Sequence, residues 1–287
     1  MTDLPPGDGL AIIGAGRVAT AVGVLARGAG FDIVGVGYSG RESTARAAAR
    51  LSAVQFAAGA EPAATAFLLG VPEPTIERVA AGLAGRIAPG AIVVHFAGSA
   101  GTAPLRSVED AGAHACALHP VQACPDVDTA VARLPGSAWG VTCAAPAKEW
   151  AERLVRALGG TPVEVAEAAR PAWHAASVMT ANGISALLAV AEAVLQSIGV
   201  SAPIDMLGPL AIGAVTNARG GGGGAATLTG PIVRGETGTV AGHLDALSGE
   251  LGADYRRVAR VILAAAHRSG RIDPNAYPAI AALLGSE

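Results

Sequence analysis

The chain has little cysteine, no basic excess and no long unbroken apolar run, and each shortage removes a class of protein. Cys116, Cys124 and Cys143 are its three cysteines. None is spaced as Cys-x-x-Cys and an odd number cannot all pair, so the pattern argues for reduced thiols in a cytoplasmic setting rather than a disulfide-stapled scaffold. With 20 basic and 23 acidic residues and no charge block, it offers no footprint for nucleic acid. The most apolar stretch, residues 175–191, is broken by Ser177, Thr180, Asn182, Gly183 and Ser185. It reads as a buried helix and not as a membrane span. The N-terminal residues lack the basic-then-apolar order of a secretory leader. The histidines have no metal-ligand spacing, and no metal is expected.

What is present begins at residues 10–19, where an apolar run breaks into Gly14-x-Gly16-x-x-Ala19. This is the strand, tight turn and helix start of a dinucleotide-binding βαβ unit. Gly14 allows the turn, Gly16 lets backbone approach a pyrophosphate, and Ala19 lets the helix pack closely. The amides of Arg17 and Val18 then face the phosphates from a helix N-terminus. At the end of the next strand, an NAD-preferring protein usually places a carboxylate; this chain has Gly37-Tyr38-Ser39-Gly40-Arg41. Ser39 and Arg41 can bind a 2′-phosphate, so NADP(H) is the expected cofactor, the alternative for Arg41 being a solvated helix start.

Short apolar runs at residues 11–13, 33–36, 66–70, 92–96, 113–118, 140–143 and near 162–165 alternate with alanine-rich helical segments. This predicts an α/β fold, an N-terminal Rossmann domain (1–166) with a doubly wound, mainly parallel sheet. Residues 167–287 read as an all-helical domain, with helices over 171–198, 203–218, 237–247, 254–267 and 274–284 and a mobile glycine loop at 220–224. Small residues along the long helix suit close packing. They either build a homodimer through the helical domain or fill the interior of one domain.

Ligands of such sheets sit beyond the carboxyl ends of the strands. That directs attention to Val71-Pro72, to His95 and Ser99 as nicotinamide-ribose contacts, and to His119 and Gln122 facing a substrate. Each has a structural alternative, since histidine and glutamine also satisfy loop backbone. Arg234 either binds a substrate carboxylate or pairs with Glu236.

The glycine turn and Tyr38-Ser39-Gly40-Arg41, then Val71-Pro72-Glu73, His95-Phe96-Ala97-Gly98-Ser99, His119-Pro120-Val121-Gln122, Trp173-His174-Ala175-Ala176 with Asn182, and residues 228–236 together resemble Rossmann-like proteins carrying domain of unknown function 2520. This group is similar to the superfamily of 6-phosphogluconate, 3-hydroxyisobutyrate, ketopantoate and pyrroline-5-carboxylate reductases. The resemblance implies NADP(H) binding and hydride transfer to a small carbonyl or imine compound. A 2-oxo acid like ketopantoate is the first expectation, a cyclic imine the alternative. A non-catalytic NADP(H) sensor is the reading from another class. Hydroxyacid dehydrogenases of this superfamily use a lysine one turn before an asparagine. If Asn182 matches that asparagine, the lysine position is Val178, and the only lysine here is Lys148. His174 is the candidate replacement acid. It lies about 12 Å along the helix from Asn182, so the two would serve opposite ends of a site.

Overall fold

The structure is a computed structural model that describes residues 8–37 and 40–285. Among the described residues, eight strands form one sheet: β1 (Gly9–Ile13), β2 (Asp32–Gly37), β3 (Gln55–Phe56), β4 (Ala66–Leu69), β5 (Ile92–His95), β6 (His114–Pro120), β7 (Ala138–Cys143) and β8 (Thr161–Glu164). Their order is β3-β2-β1-β4-β5-β6-β7-β8. All neighbours are parallel except β6 and β7, which run antiparallel with His119 opposite Gly140 and Cys116 opposite Cys143. Strand side chains alternate between faces. Leu10, Ile12, Leu68 and Val94 enter a core on one side of the sheet, and Ala11, Ile13, Phe67, Leu69 and Val93 enter a second core on the other. Burial on both faces is why these strands read as continuous apolar runs.

Helices α1 (Arg17–Gly28), α2 (Arg41–Leu51), α3 (Ile76–Leu83), α4 (Arg106–Asp110), α5 (Val127–Arg133) and α6 (Ala145–Ala157) alternate with these strands. Five more come after them: α7 (Arg170–Ser197), α8 (Pro203–Gly220), α9 (Thr237–Ala246), α10 (Gly249–Arg268) and α11 (Tyr277–Leu284). The protein is thus an α/β Rossmann-like sheet domain followed by a helical region. Two compact units, Met1–Ala181 and Asn182–Glu287, divide the chain within α7. The second has its own core, including Val240 of α9, Leu263 of α10 and Ile280 of α11.

Several details differ from the sequence reading. β3 went unread, and α10 starts five residues earlier than the predicted 254. The glycine segment folds back on the end of α8 through bonds from Gly221 N to Asn217 O (2.8 Å) and Gly223 N to Ala218 O (2.9 Å). The expected burial of 175–191 is not met within this chain. Arg170 is the buried residue of α7, while Met179 is 76% and Leu187 49% exposed. The helix is long and apolar enough to cross a membrane by length and composition. Along α8, Leu210 (70%) and Ile212 (68%) are equally open.

Glycine decides how β1, α1 and β4 meet. The Gly70 amide donates to Ile13 O (2.7 Å) and the Gly16 amide to Gly70 O (2.9 Å). A Cβ on Gly70 would lie 2.5 Å from the Ala19 Cβ. Gly70→Val therefore cannot be absorbed by a rotamer change, and overpacking of this kind costs about 1–3 kcal/mol. A denaturant titration of the variant is expected to show that loss; an unchanged midpoint would mean that α1 shifts freely.

Candidate functional site

Gly14 takes a φ of +89°, and a Cβ there would lie 2.5 Å from Gly70 O and 2.7 Å from Val71 Cγ1. A Cβ on Gly16 would meet the same carbonyl at 2.5 Å. The turn is thus bare backbone pressed against the end of β4. It opens into α1, whose start has no side-chain cap. The first-turn amides of Arg17 and Val18 lack helical carbonyl partners, as at any helix start. An uncapped, side-chain-free helix N-terminus at the carboxyl edge of a parallel sheet fits the pyrophosphate of a dinucleotide. The Arg17 side chain itself is engaged elsewhere, donating to Pro125 O (2.8 Å). Ser39 lies outside the described residues. Arg41 opens α2 on the surface, beside Glu42, which pairs with Arg46.

From the turn, a chain of contacts leads along the strand ends. Val71 packs beside Gly14, Pro72 O accepts from the amide and hydroxyl of Thr75, and Glu73 accepts from the Ser99 hydroxyl (2.5 Å). Ser99 therefore braces the loop after β5 against the loop after β4. His95, fully buried, fixes the same loop from inside. The Ala97 amide donates to its Nδ1 (3.1 Å), so its Nε2 carries the proton and donates to Gly101 O (2.7 Å). Burial lowers its pKa. Both nitrogens are used, so His95 shapes the loop from within and has no ring nitrogen left over for a ribose in this arrangement. Glu167 holds the loop from outside, accepting from the Thr102 amide (2.9 Å).

This bracing sets Gly98 in front of two imidazoles. A Cβ at position 98 would lie 2.2 Å from His174 Nδ1 and 2.8 Å from His119 Nε2. The two rings meet edge to face with centroids 5.4 Å apart. Trp173 donates its indole N–H to His119 Nδ1 (3.0 Å). Indole only donates, so the proton of neutral His119 sits on Nε2, toward Gly98. Gly140, opposite His119 in the ladder, makes room for Trp173; a Cβ there would lie 2.8 Å from the indole. Burial first, then the neighbouring His174 and Arg170, push the His119 pKa down to about 4. His174 Nδ1 is buried with no hydrogen-bond partner among the described residues.

Arg170, one turn before His174, is completely buried. It donates from Nε to Thr142 Oγ1 (2.8 Å) and from a terminal nitrogen to Ala117 O, which ties β6, β7 and the root of α7 together. No ion pair involving it is present among the described residues, and burial lowers its pKa.

The structure thus brings His119, His174 and the loop of Ser99 together. The Gln122 side chain bonds Arg133 O (3.3 Å) and Ser137 Oγ (3.4 Å), bracing the connection between α5 and β7. Arg234 adopts the ion-pair alternative, gripping Glu236 at 2.6 and 3.3 Å. Asn182 is exposed on α7 in the second unit. Sequence reasoning gave no role to Trp173, Arg170 or Glu167. The adjacent Trp173-His174 pair at a helix start was the available signal.

Residues 5–120 match the Rossmann-like domain model, and residues 137–262 match that of the Domain of unknown function (DUF2520). The chain is a Rossmann-like domain joined to a DUF2520 region. No curated protein sequence matches it. Among solved structures, a Bacteroides fragilis protein provisionally named an NADP oxidoreductase is 20% identical with a TM-score of 0.73, over 89% of this chain and 98% of that one. A Thermotoga maritima protein is 17% identical with a TM-score of 0.70, over 91% and 99%. A pyrroline-5-carboxylate reductase from Coxiella burnetii is 16% identical with a TM-score of 0.57, over 94% and 100%. At such identities the likeness is one of fold.

The depressed pKa of His119 makes stability depend on pH. Unfolded chain binds a proton at about pH 6.5 that the folded chain refuses until about 4. Stability is therefore complete above 6.5 and falls as pH drops toward 4, by at most about 3 kcal/mol for this group. His119→Gln is expected to flatten that acid limb in a pH series of unfolding midpoints. An unaltered slope would show that His119 titrates normally.

Proposed function

We propose that the protein is an NADP(H)-dependent oxidoreductase that reduces a small carboxylate-bearing 2-oxo acid. The observation that carries this reading is the continuous row from the bare Gly14–Gly16 backbone, through Val71 and Ser99, to two imidazoles facing Gly98. Arg17 and Val18 amides would hold the pyrophosphate, Val71 and Pro72 would border the cofactor, and Arg41 with Ser39 would take the 2′-phosphate. When bound, reduced nicotinamide supplies a hydride. His119, kept neutral and held by Trp173, donates a hydrogen bond from Nε2 to the polarised substrate oxygen or its carboxylate. His174 supplies the proton that the superfamily's lysine supplies elsewhere. The loop fixed by His95 and Glu167 keeps side chains out of the space between them.

A cyclic imine is the second reading, and the neutrality of His119 favours it. An imine arrives close to protonated and asks less of an acid, which suits a site without the lysine. Arg234 and Asn182 have no part in either reading unless ligand binding rearranges them. A sensor that binds the cofactor without turnover is the outcome that would remove catalysis.

The exposed apolar faces of α7 and α8 support a homodimer through the helical region. A second copy suits them better than a bilayer, because Trp173 and His174 are held inside the first unit and Asn182 and Glu192 interrupt the remainder of α7. A soluble, cytoplasmic protein is part of the same reading.

Calorimetry is expected to show NADPH bound in preference to NADH, with Arg41→Ala weakening NADPH about tenfold and leaving NADH unchanged. His174→Ala should lower turnover of 2-oxo acids or imines about 100-fold with NADPH affinity unchanged. Preference for NADH, or full turnover without the imidazole, overturns these assignments. Met179→Asp with Leu210→Asp should convert a dimer to a monomer in sedimentation; a monomeric parent protein removes the dimer.

A further inference from the structure

The antiparallel turn of the sheet sets Cys116 of β6 directly opposite Cys143 of β7. Opposed residues in such a pair have Cβ atoms about 4.5–5.5 Å apart, within a small adjustment of the separation a disulfide needs. Both side chains enter the same side of the sheet, Cys116 within the core there and Cys143 packed against it. Their surroundings differ. Cys116 is buried, whereas Cys143 is partly exposed and lines a cavity of about 340 Å³ with Thr102, Lys148, Glu164 and Glu167.

We propose that Cys143 is a hydroperoxide-reactive thiol and that Cys116 is its resolving partner, the two closing a disulfide across β6 and β7. The cavity admits a small hydroperoxide to one sulfur and withholds the other. The neighbouring Cys116 thiol, followed by the Lys148 ammonium, lowers the Cys143 pKa, against burial and the Glu152 and Glu164 carboxylates. The same pairing, burial and Glu109 keep the proton on Cys116. Lys148 is itself bonded to Glu164 at 2.7 Å, which fixes its charge near the cavity.

The chemistry is a two-step exchange. The Cys143 thiolate attacks the outer oxygen of the hydroperoxide; an S–O bond forms, the O–O bond breaks, and the departing alkoxide or hydroxide takes a proton from water. The Cys116 sulfur then attacks the sulfenic sulfur. An S–S bond forms, the S–O bond breaks, and the leaving hydroxide departs as water with the Cys116 proton. Two electrons pass from the two sulfurs to the peroxide. None of this depends on the proposed reductase activity.

The test treats the reduced full-length protein with hydrogen peroxide, blocks free thiols and maps tryptic peptides without reductant. The expected product joins peptide 107–133, through Cys116, to peptide 134–148. A Cys124→Ser background removes the other thiol of the first peptide. In Cys116→Ala, Cys143 should instead be trapped by dimedone as the sulfenic acid. Without peroxide, iodoacetamide should alkylate Cys143 at least about tenfold faster than Cys124 at pH 7, since burial raises the Cys124 pKa. Lys148→Met should slow Cys143 and leave Cys124 unaffected. Oxidation of Cys124 ahead of Cys143, or a Cys143 that stays reduced while peroxide is consumed elsewhere, overturns the proposal. The cross-link in the parent protein is decisive even if a cysteine variant does not fold.

Discussion

Backbone pressed against backbone at the carboxyl edge of the sheet is the constraint on which the remaining architecture rests. Where Gly14, Gly16 and Gly70 meet, hydrogen bonds of 2.7 and 2.9 Å join the end of β1, the start of α1 and the end of β4 with no side chain between them. Because the contact is made of peptide groups, it sets the start of α1 directly against the end of β4, and the loop after β5 is braced to the same edge. Glu73 passes the constraint to Ser99, and His95 and Glu167 hold the loop after β5. The position of Gly98 is inherited from that sequence of braces.

The histidine pair shows a different economy. Burial lowers the basicity of His119, which would make it a poor reservoir of protons at neutral pH. The same burial makes it a reliable donor, because its tautomer is set by Trp173 and does not change over the physiological range. His174 carries no such tie on Nδ1 among the described residues. Two chemically identical side chains thereby acquire separate capacities from their partners alone. Arg170 contributes by adding positive charge without exposing it, and it secures the helix that carries both Trp173 and His174.

Much of the sheet was legible because strands buried on both faces announce themselves as apolar runs between alanine-rich segments. β3 was not, since Gln55 and Phe56 are too few to show a period. The start of α10 was hidden by Gly249 and Gly252, residues that sequence reasoning reads as breakers. The glycine turn was legible for a local reason: its geometry demands residues lacking a side chain within six positions. The imidazole pair was only half legible. His119 and Trp173 are separated by 54 residues, and no local pattern records their hydrogen bond. His95 and Gln122 show a second limit, for a polar residue at a strand end looks the same in sequence whether it turns toward a crevice or bonds its own loop. Exposure of α7 was missed because periodicity cannot tell a helix covered by its own chain from one whose apolar side stays open.

The bond from Trp173 to His119 also gives the molecule an optical gauge. Trp139 and Trp150 are packed in the interior with their indole nitrogens unpartnered among the described residues, so they sense little besides the core. Trp173 is bonded to an imidazole, and a protonated imidazole drains the excited state of a neighbouring indole. Its emission therefore reads the ionisation of the ring beside it, with no dye or label added to the chain.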